Sequence, residues 1–290
     1  LIIGVKKIVV IKRVVRKVIV TVLGVKMENL QIPDQIKELI GDEPYYIDDI
    51  GKSESQVILF SDKVLKIQEV SDESVNEVKM LSWLEGKLNV PEVLVSQVEG
   101  STHYLLMSKI QGIMACDDVY MTDPEKLGKL LVTALRQLWT VDLCGFKPMM
   151  TLAKKLEVAE YNVLNGKVDM ADTQPETFGP QGFENPQALL QWLVENQPDE
   201  ELVFSHGDLS LPNVILSGDT VSGYIDLGWA GVSDKWQDIA IAYRSLVNNF
   251  SGVYGGKTYD GFKPVMLFEA LGMAPDWDKL RYYILLDELF

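Results

Sequence analysis

The chain has 290 residues, 47% of them hydrophobic and six of them Trp, enough to bury one large core or two smaller ones. Its two cysteines, Cys116 and Cys144, cannot build a disulfide framework and match no zinc spacing, which suits a reducing cytoplasm. Seven of the 27 basic residues and no acid lie in residues 1–26, so residues 27–290 hold 20 basic against 42 acidic residues, a net charge of −22 that repels nucleic acid and favours cationic ligands.

The chain opens on "LIIGVKKIVVIKRVVRKVIVTVLGVK". Basic residues break its apolar runs too often for a membrane span of about 20 apolar residues. A signal peptide would place its charges ahead of the apolar run, whereas here they are interleaved. Two readings stay open, a basic surface-binding segment and, favoured by the interleaving, a non-native leader ahead of a natural start at Met27. "MENLQIPDQIKELIG" then reads as an amphipathic opening helix.

"YYIDDIG", "SQVILFS" and "KVLKIQE" are short β-type runs between turn residues. "ESVNEVKMLSWLEGKL" follows with apolar residues at helical spacing, and "STHYLLMSKIQG" returns to strand. Residues from about 45 to 110 therefore predict a small sheet carrying one helix. After Gly112 helices dominate: "PEKLGKLLVTALRQLWTV", "TLAKKLEVAEYNVLN", "PQALLQWLVENQ", "KWQDIAIAYRSLVNNF" and "LRYYILLDELF". The expected class is α+β, with no internal repeat.

The strand signal reappears in "VFSHGDLSLPNVILSGDTVSGYIDLGWAG", residues 203–231. "NVILS" and "SGYIDL" flank a "GDT" turn and predict a hairpin pairing Ile215 with Tyr224, which sets Asn213 opposite Asp226 at its open end. An amide oxygen and a carboxylate on one rim, with room for water and phosphate oxygens, is a donor set for Mg²⁺. Asp208, five residues before Asn213, lies in the loop entering the hairpin, where a carboxylate can take a proton from an attacking hydroxyl. His206 is read as a brace for the turn rather than as the base. Asp and Asn are common turn residues, so it is the joint pattern His-Gly-Asp, Asn, Asp-Leu-Gly that points to chemistry.

"HGDLSLPN" and "GYIDLGWAGVSDKWQDIA", with "WLEGKLNVPEVL" before them and "YYILLDELF" at the end, resemble the aminoglycoside 3'-phosphotransferases, antibiotic-resistance kinases with a two-lobed protein-kinase-like fold. The resemblance runs from about residue 30 to 290 and is strongest after residue 202. It implies a small β-rich lobe over 27–110 and a large, mainly helical lobe over 111–290. It implies Asp208 as catalytic base, Asn213 and Asp226 as magnesium ligands, and ATP as the usual donor. It selects Lys66 in "KVLKIQ", over Lys63, as the lysine gripping the nucleotide phosphates, with Glu77 on the following helix as its partner. Met107 would line the adenine pocket, and Lys109 and Ile110 would offer backbone hydrogen bonds. Asp238 would be a buried helix carboxylate supporting the catalytic loop. Acceptor contacts are implied at Asp287, Glu288 and the carboxylate of Phe290, with Arg244 beside them and Asp169, Asp172 and Glu176 supplied by the insert "NGKVDMADTQPETFGPQG". On a helix 287 and 290 would share a face, with 288 offset.

Several positions depart from that pattern. Val64 stands where the family usually has a tyrosine stacking on the base, which leaves the choice between ATP and GTP open. The loop "GKSESQVILFSDK" retains only Ser53 or Ser55 to contact phosphate. Trp229 replaces an arginine beside the transferring phosphoryl, which argues for weakened activity. Asn248 and Asn249 stand where relatives tend to have acids. "GVYGGKT", residues 252–258, is no Walker A loop, because Ser251 occupies the place of its first glycine and no strand precedes it. His103 reads as an ordinary strand residue.

The expectation is a cytoplasmic magnesium-dependent kinase for a cationic aminosugar antibiotic, monomeric or weakly dimeric, with no nucleic-acid or membrane partner. The alternatives are a related kinase for choline, a hydroxy-amino acid or a macrolide, and a catalytically weak nucleotide-binding homologue.

Overall fold

A computed structural model of the chain describes residues 32–48, 55–146, 149–171, 173–253 and 256–290. The leader 1–26, Ser53 and Asp172 lie outside the described residues.

Among the described residues the opening helix is α1 (Asp34–Ile40), begun after Pro33, whose fixed φ suits a helix start. Strands β1 (Tyr46–Asp48), β2 (Gln56–Leu59) and β3 (Lys63–Glu69) lead into helix α2 (Asp72–Leu84), and β4 (Val93–Glu99) and β5 (Thr102–Ser108) complete an antiparallel sheet of order β1-β2-β3-β5-β4. Strand β4 was not expected from the sequence. It is an edge strand with a bulge between Val93 and Val95 and with Leu94 and Val98 exposed, so its inward and outward alternation is blurred.

Alternation along β3 positions the first functional residue. Leu65 faces α1 in a small apolar core with Ile36, Ile40, Ile58, Phe60 and Leu106. Lys66, the next residue, therefore points to the opposite face, toward α2. Helix α2 begins at Ser71, whose hydroxyl accepts from Ser74 N while Ser74 Oγ accepts from Ser71 N, a reciprocal cap.

The rest of the chain is mainly helical: β6 (Ile113–Met114), α3 (Asp118–Met121), α4 (Pro124–Trp139), α5 (Leu152–Leu164), α6 (Pro186–Glu195), β7 (Leu202–Ser205), β8 (Val214–Ser217), β9 (Thr220–Tyr224), β10 (Gly231–Asp234), α7 (Lys235–Ser251), α8 (Met266–Leu271) and α9 (Trp277–Asp287). Helix α4 shows why: Asp123 caps its N-terminus, Pro124 fills the first position, and Leu127, Leu131, Leu135 and Leu138 form one buried stripe. The short β6, α3 and α8 carry too few residues for a periodic signal. Residues of α2, β5, α4, α7 and α9 share the larger core. No helix among the described residues is long and apolar enough to cross a membrane.

The expected hairpin register is corrected. A two-residue turn at Gly218 and Asp219 pairs Ser217 with Thr220, and a bulge at Ser222 shifts the ladder so that Val214 pairs with Tyr224. Asn213 therefore faces Ile225, whose N–H donates to its carbonyl at 3.1 Å, and not Asp226. The helix argument at the C-terminus is corrected as well, because α9 ends at Asp287 and Glu288 lies beyond the last helical residue.

Candidate active site

The loop between β7 and β8 carries His206, Gly207, Asp208 and Asn213. Its backbone is held from α7, where the buried Asp238 carboxylate accepts from Ser205 Oγ (2.9 Å), His206 N (3.1 Å) and Gly207 N (3.0 Å). Gln237 donates to Gly207 O at 3.2 Å and Ser245 Oγ accepts from Leu211 N at 2.9 Å, so three polar residues on one helix brace this loop. Gln237 and Ser245 were not singled out from the sequence. The clue available was their spacing with Asp238 on a helix face that is otherwise buried.

His206 is buried and its Nε2 donates to Ile225 O at 3.0 Å, which ties the loop to the end of β9. Gly207 has φ of 85°, and a Cβ there would meet the Trp229 carbonyl at 2.1 Å. Gly207→Ala should therefore lose about 1–3 kcal/mol through backbone strain alone. An unchanged urea midpoint would show that this close approach tolerates a methyl group.

Asn213 Nδ2 donates to both Asp208 O and Asp208 Oδ2, each at 2.9 Å. Its amide oxygen receives no hydrogen bond among the described residues. Burial pushes the Asp208 carboxyl up to about 7, with Asp287 and Asp226 adding and Arg244 opposing.

Asp226 lies just after β9 with φ of 64°, the one non-glycine positive φ among the described residues. This left-handed turn, which Asp tolerates better than most residues, brings its carboxylate to Lys66 without the cross-strand pairing expected. Lys66 Nζ donates to Asp226 Oδ1 at 2.8 Å and to Glu77 Oε2 at 3.0 Å. Burial alone would lower the Lys66 pKa, but Glu77 and Asp226 hold it above the ordinary lysine range. Lys63 instead pairs with Asp62 and Glu43 away from this cluster.

Two residues of α2 also reach the Asp226 loop, and neither was singled out from the sequence. Asn76 Nδ2 donates to Gly228 O at 2.8 Å and to Ala230 O at 2.9 Å. Glu73 packs against Gly228, and burial, with Asp226 adding, pushes its carboxyl up to about 7.

Next to this cluster, Val64 pairs with Met107 across β3 and β5. The Lys109 N–H is already bonded to Asp62 O at 2.8 Å, so Ile110, whose N–H has no partner among the described residues, is the free backbone donor of that pair. Ser55 is half-buried just before β2.

At the far end, Arg244 of α7 pairs with Asp287 and, at 3.4 Å, with Glu288. Glu288 is 6% exposed, and its other oxygen accepts from Gln174 N at 2.7 Å, which tethers the insert to the chain terminus. Asp287 is the more open carboxylate. Asp169 accepts from Ala171 N within its own exposed turn, and Glu176 is exposed. Trp229 meets the Phe290 ring edge-on at 5.1 Å and 88°.

"GVYGGKT" begins at the end of α7, with Gly252 in its left-handed cap and residues 254–255 outside the described ones. His103 bonds Ser96 Oγ through Nε2 at 2.9 Å on the sheet. Neither Cys116 nor Cys144 is in a disulfide.

Comparisons agree on one relationship. The model of the phosphotransferase enzyme family matches residues 51–283. An aminoglycoside 3'-phosphotransferase of Enterococcus faecalis is 36% identical over 244 residues, 83% of this chain and 87% of its own. One from Staphylococcus aureus is 33% identical over 277 residues, 91% of this chain and all of its own. Among solved structures, an aminoglycoside phosphotransferase of Streptomyces rimosus superposes with a TM-score of 0.73 at 23% identity, covering 88% of this chain and 95% of its own. That protein has also been solved with ADP and streptomycin. The fold is the protein-kinase-like α+β fold that the motifs suggested.

Proposed function

We infer that this chain, which belongs to the aminoglycoside 3'-phosphotransferase family, moves the γ-phosphoryl group of ATP to a hydroxyl of an aminoglycoside antibiotic and so confers resistance. The observation that carries the reading is a pair of hydrogen-bonded groups, Lys66–Glu77–Asp226 and Asp208–Asn213, with bonds of 2.8–3.0 Å, set at the open end of the β8–β9 hairpin near enough for the Asp226 charge to help raise the Asp208 carboxyl. The 3'-hydroxyl is the acceptor position carried in the relatives' names.

In this reading Lys66, held by Glu77, binds the nucleotide phosphates. Val64, Met107 and the Ile110 backbone line the base pocket, Lys109 contributes its carbonyl, and Ser55, with Ser53, approaches the phosphates. Among the described residues no group of three or more His, Cys, Asp or Glu could hold a metal ion. Asn213 Oδ1 and the second oxygen of Asp226 are nevertheless hard donors free of hydrogen bonds among the described residues, and Mg²⁺ takes few protein oxygens and completes its shell with water and phosphate. These residues fit it, and when bound it would neutralise charge on the phosphate oxygens. Asp208 takes the proton of the acceptor hydroxyl as the new O–P bond forms and the bond from phosphorus to the bridging oxygen breaks, releasing ADP. Asn213 keeps the Asp208 carboxylate aimed.

Asp287, the Phe290 end of the chain and the acids of the insert, Asp169, Asp172 and Glu176, meet the acceptor's ammonium groups. Arg244, itself paired with Glu288, holds Asp287 in place. The lobes divide near residue 110: α1 and one face of the five-stranded sheet enclose a small core of their own, while α2 and the other face of β5 pack onto the larger one. The setting is the cytoplasm, where ATP is supplied, and the chain acts as a monomer or weak dimer without nucleic acid or membrane.

A coupled nucleotide-turnover assay against kanamycin, neomycin, a 3'-deoxy aminoglycoside, choline and a macrolide tests the reading. Kanamycin and neomycin should turn over and the 3'-deoxy compound should only inhibit. Turnover of choline or the macrolide alone would replace it. Asp287→Asn should raise the aminoglycoside KM at least about tenfold, one step of about 1.4 kcal/mol, with nucleotide KM within about twofold. Equal KM values for variant and wild type would remove Asp287 from the acceptor site.

A further inference from the structure

Lys155, in the first turns of α5, is a buried cation with no role in the reaction described above. It is 4% exposed, and its ammonium has no hydrogen bond or ion pair among the described residues. Burial lowers its pKa, while Asp287 of α9, Asp238 of α7 and Asp208 of the catalytic loop oppose that shift. It lies over the Phe290 ring, 5.4 Å from the ammonium to the centroid. An ammonium over an aromatic face is attracted by the ring quadrupole, more so when desolvated.

The same face of α5 makes a second contact with the chain terminus. Asn162, two turns after Lys155, donates through Nδ2 to Leu289 O at 2.9 Å. The Phe290 ring thus lies between α5 and Trp229 of the Asp226 loop. Where the sequence pattern suggested a cation lost at 229, the structure has an aromatic edge there and a buried cation on the same ring.

We propose that Lys155 is a positioning residue of the acceptor site, seating Phe290 against Trp229 so that Asp287, whose carbonyl accepts from Phe290 N at 3.3 Å, is fixed where the acceptor's ammonium groups bind. This rests on the aminoglycoside reading of that site. Lys155 acts through Phe290, so its loss loosens acceptor recognition and leaves nucleotide recognition alone.

Three variants test it: Lys155→Met, which keeps the stem without charge; Lys155→Arg, which keeps the charge; and Phe290→Leu, which removes the ring. Lys155→Met should raise the aminoglycoside KM about three- to tenfold with nucleotide KM within twofold, and Lys155→Arg should restore most of the loss. The Lys155→Met/Phe290→Leu pair should be no worse than Phe290→Leu alone, as expected when two residues share one interaction. Multiplicative KM effects, an equal rise in nucleotide KM, or no recovery in Lys155→Arg would each overturn the proposal. If Lys155→Met does not fold, Phe290→Leu should itself raise the aminoglycoside KM about three- to tenfold with nucleotide KM within twofold, and an unchanged aminoglycoside KM there overturns the proposal. Absence of wild-type aminoglycoside turnover would instead refute the aminoglycoside reading.

Discussion

Asp208→Asn should cost at least about 10²-fold in phosphoryl transfer, the lower range for removal of a general base. The substitution is close to isosteric, and an amide oxygen at position 208 can still accept from Asn213 Nδ2, which now bonds Asp208 Oδ2 at 2.9 Å. The loop backbone is held independently by Asp238, Gln237 and Ser245, so the fold should survive. Stability should hold or rise. Asp208 is half-buried with the charges of Asp226 and Asp287 nearby, and a neutral side chain relieves that repulsion. Turnover and melting temperature should thus move in opposite directions, with nucleotide affinity unchanged within about twofold. A variant that turns over normally would remove Asp208 from the chemistry, and one that melts well below the wild type would make its role structural.

Lys66→Met should lose both activity and stability, for separable reasons. The ammonium bridges Glu77, whose side chain is 2% exposed, and Asp226, whose side chain is 42% exposed. Removing it strands a buried carboxylate, and breaking a buried pair by deleting one partner costs about 3–5 kcal/mol. Asp226 can turn to water, so the stability loss should come mainly from Glu77. Adding Glu77→Gln should therefore recover most of the stability in a urea titration. It should not recover turnover, because no cation then faces the nucleotide phosphates. Full activity in the double variant would sink the assignment of Lys66. A single variant as stable as the wild type would show that the pair contributes nothing net.

The candidate site residues stand out in the sequence because local chemistry writes them into short segments. His-Gly-Asp with Asn five residues on, and Asp-Leu-Gly after a hairpin, keep their spacing whatever surrounds them. The braces were not legible. Asn76, Gln237 and Ser245 are ordinary polar residues whose partners lie 152, 30 and 34 residues away, and nothing near them in sequence distinguishes a buried donor from a solvated one. The hairpin register failed because turn length and bulge set it together. The tight turn pairs Ser217 with Thr220, two places short of the expected register, the bulged Ser222 restores one of those two, and strand alternation in a four-residue run reveals neither.

By itself the sequence determined the α+β class, the helices with strong apolar stripes, the catalytic loop and the acidic balance of the body, because these follow from periodicity, turn chemistry and charge within a few residues. Only the tertiary structure decided which side chains meet. Lys66 finds Asp226 across 160 residues, Asp226 reaches it through a left-handed turn, and Arg244 gathers Asp287, the last residue of α9, and Glu288 just beyond it. The buried ammonium of Lys155 on the last ring of the chain belongs to the same class. Such contacts depend on how two cores pack across a cleft, and packing is a property of surfaces brought together by burial, which no local run of residues encodes.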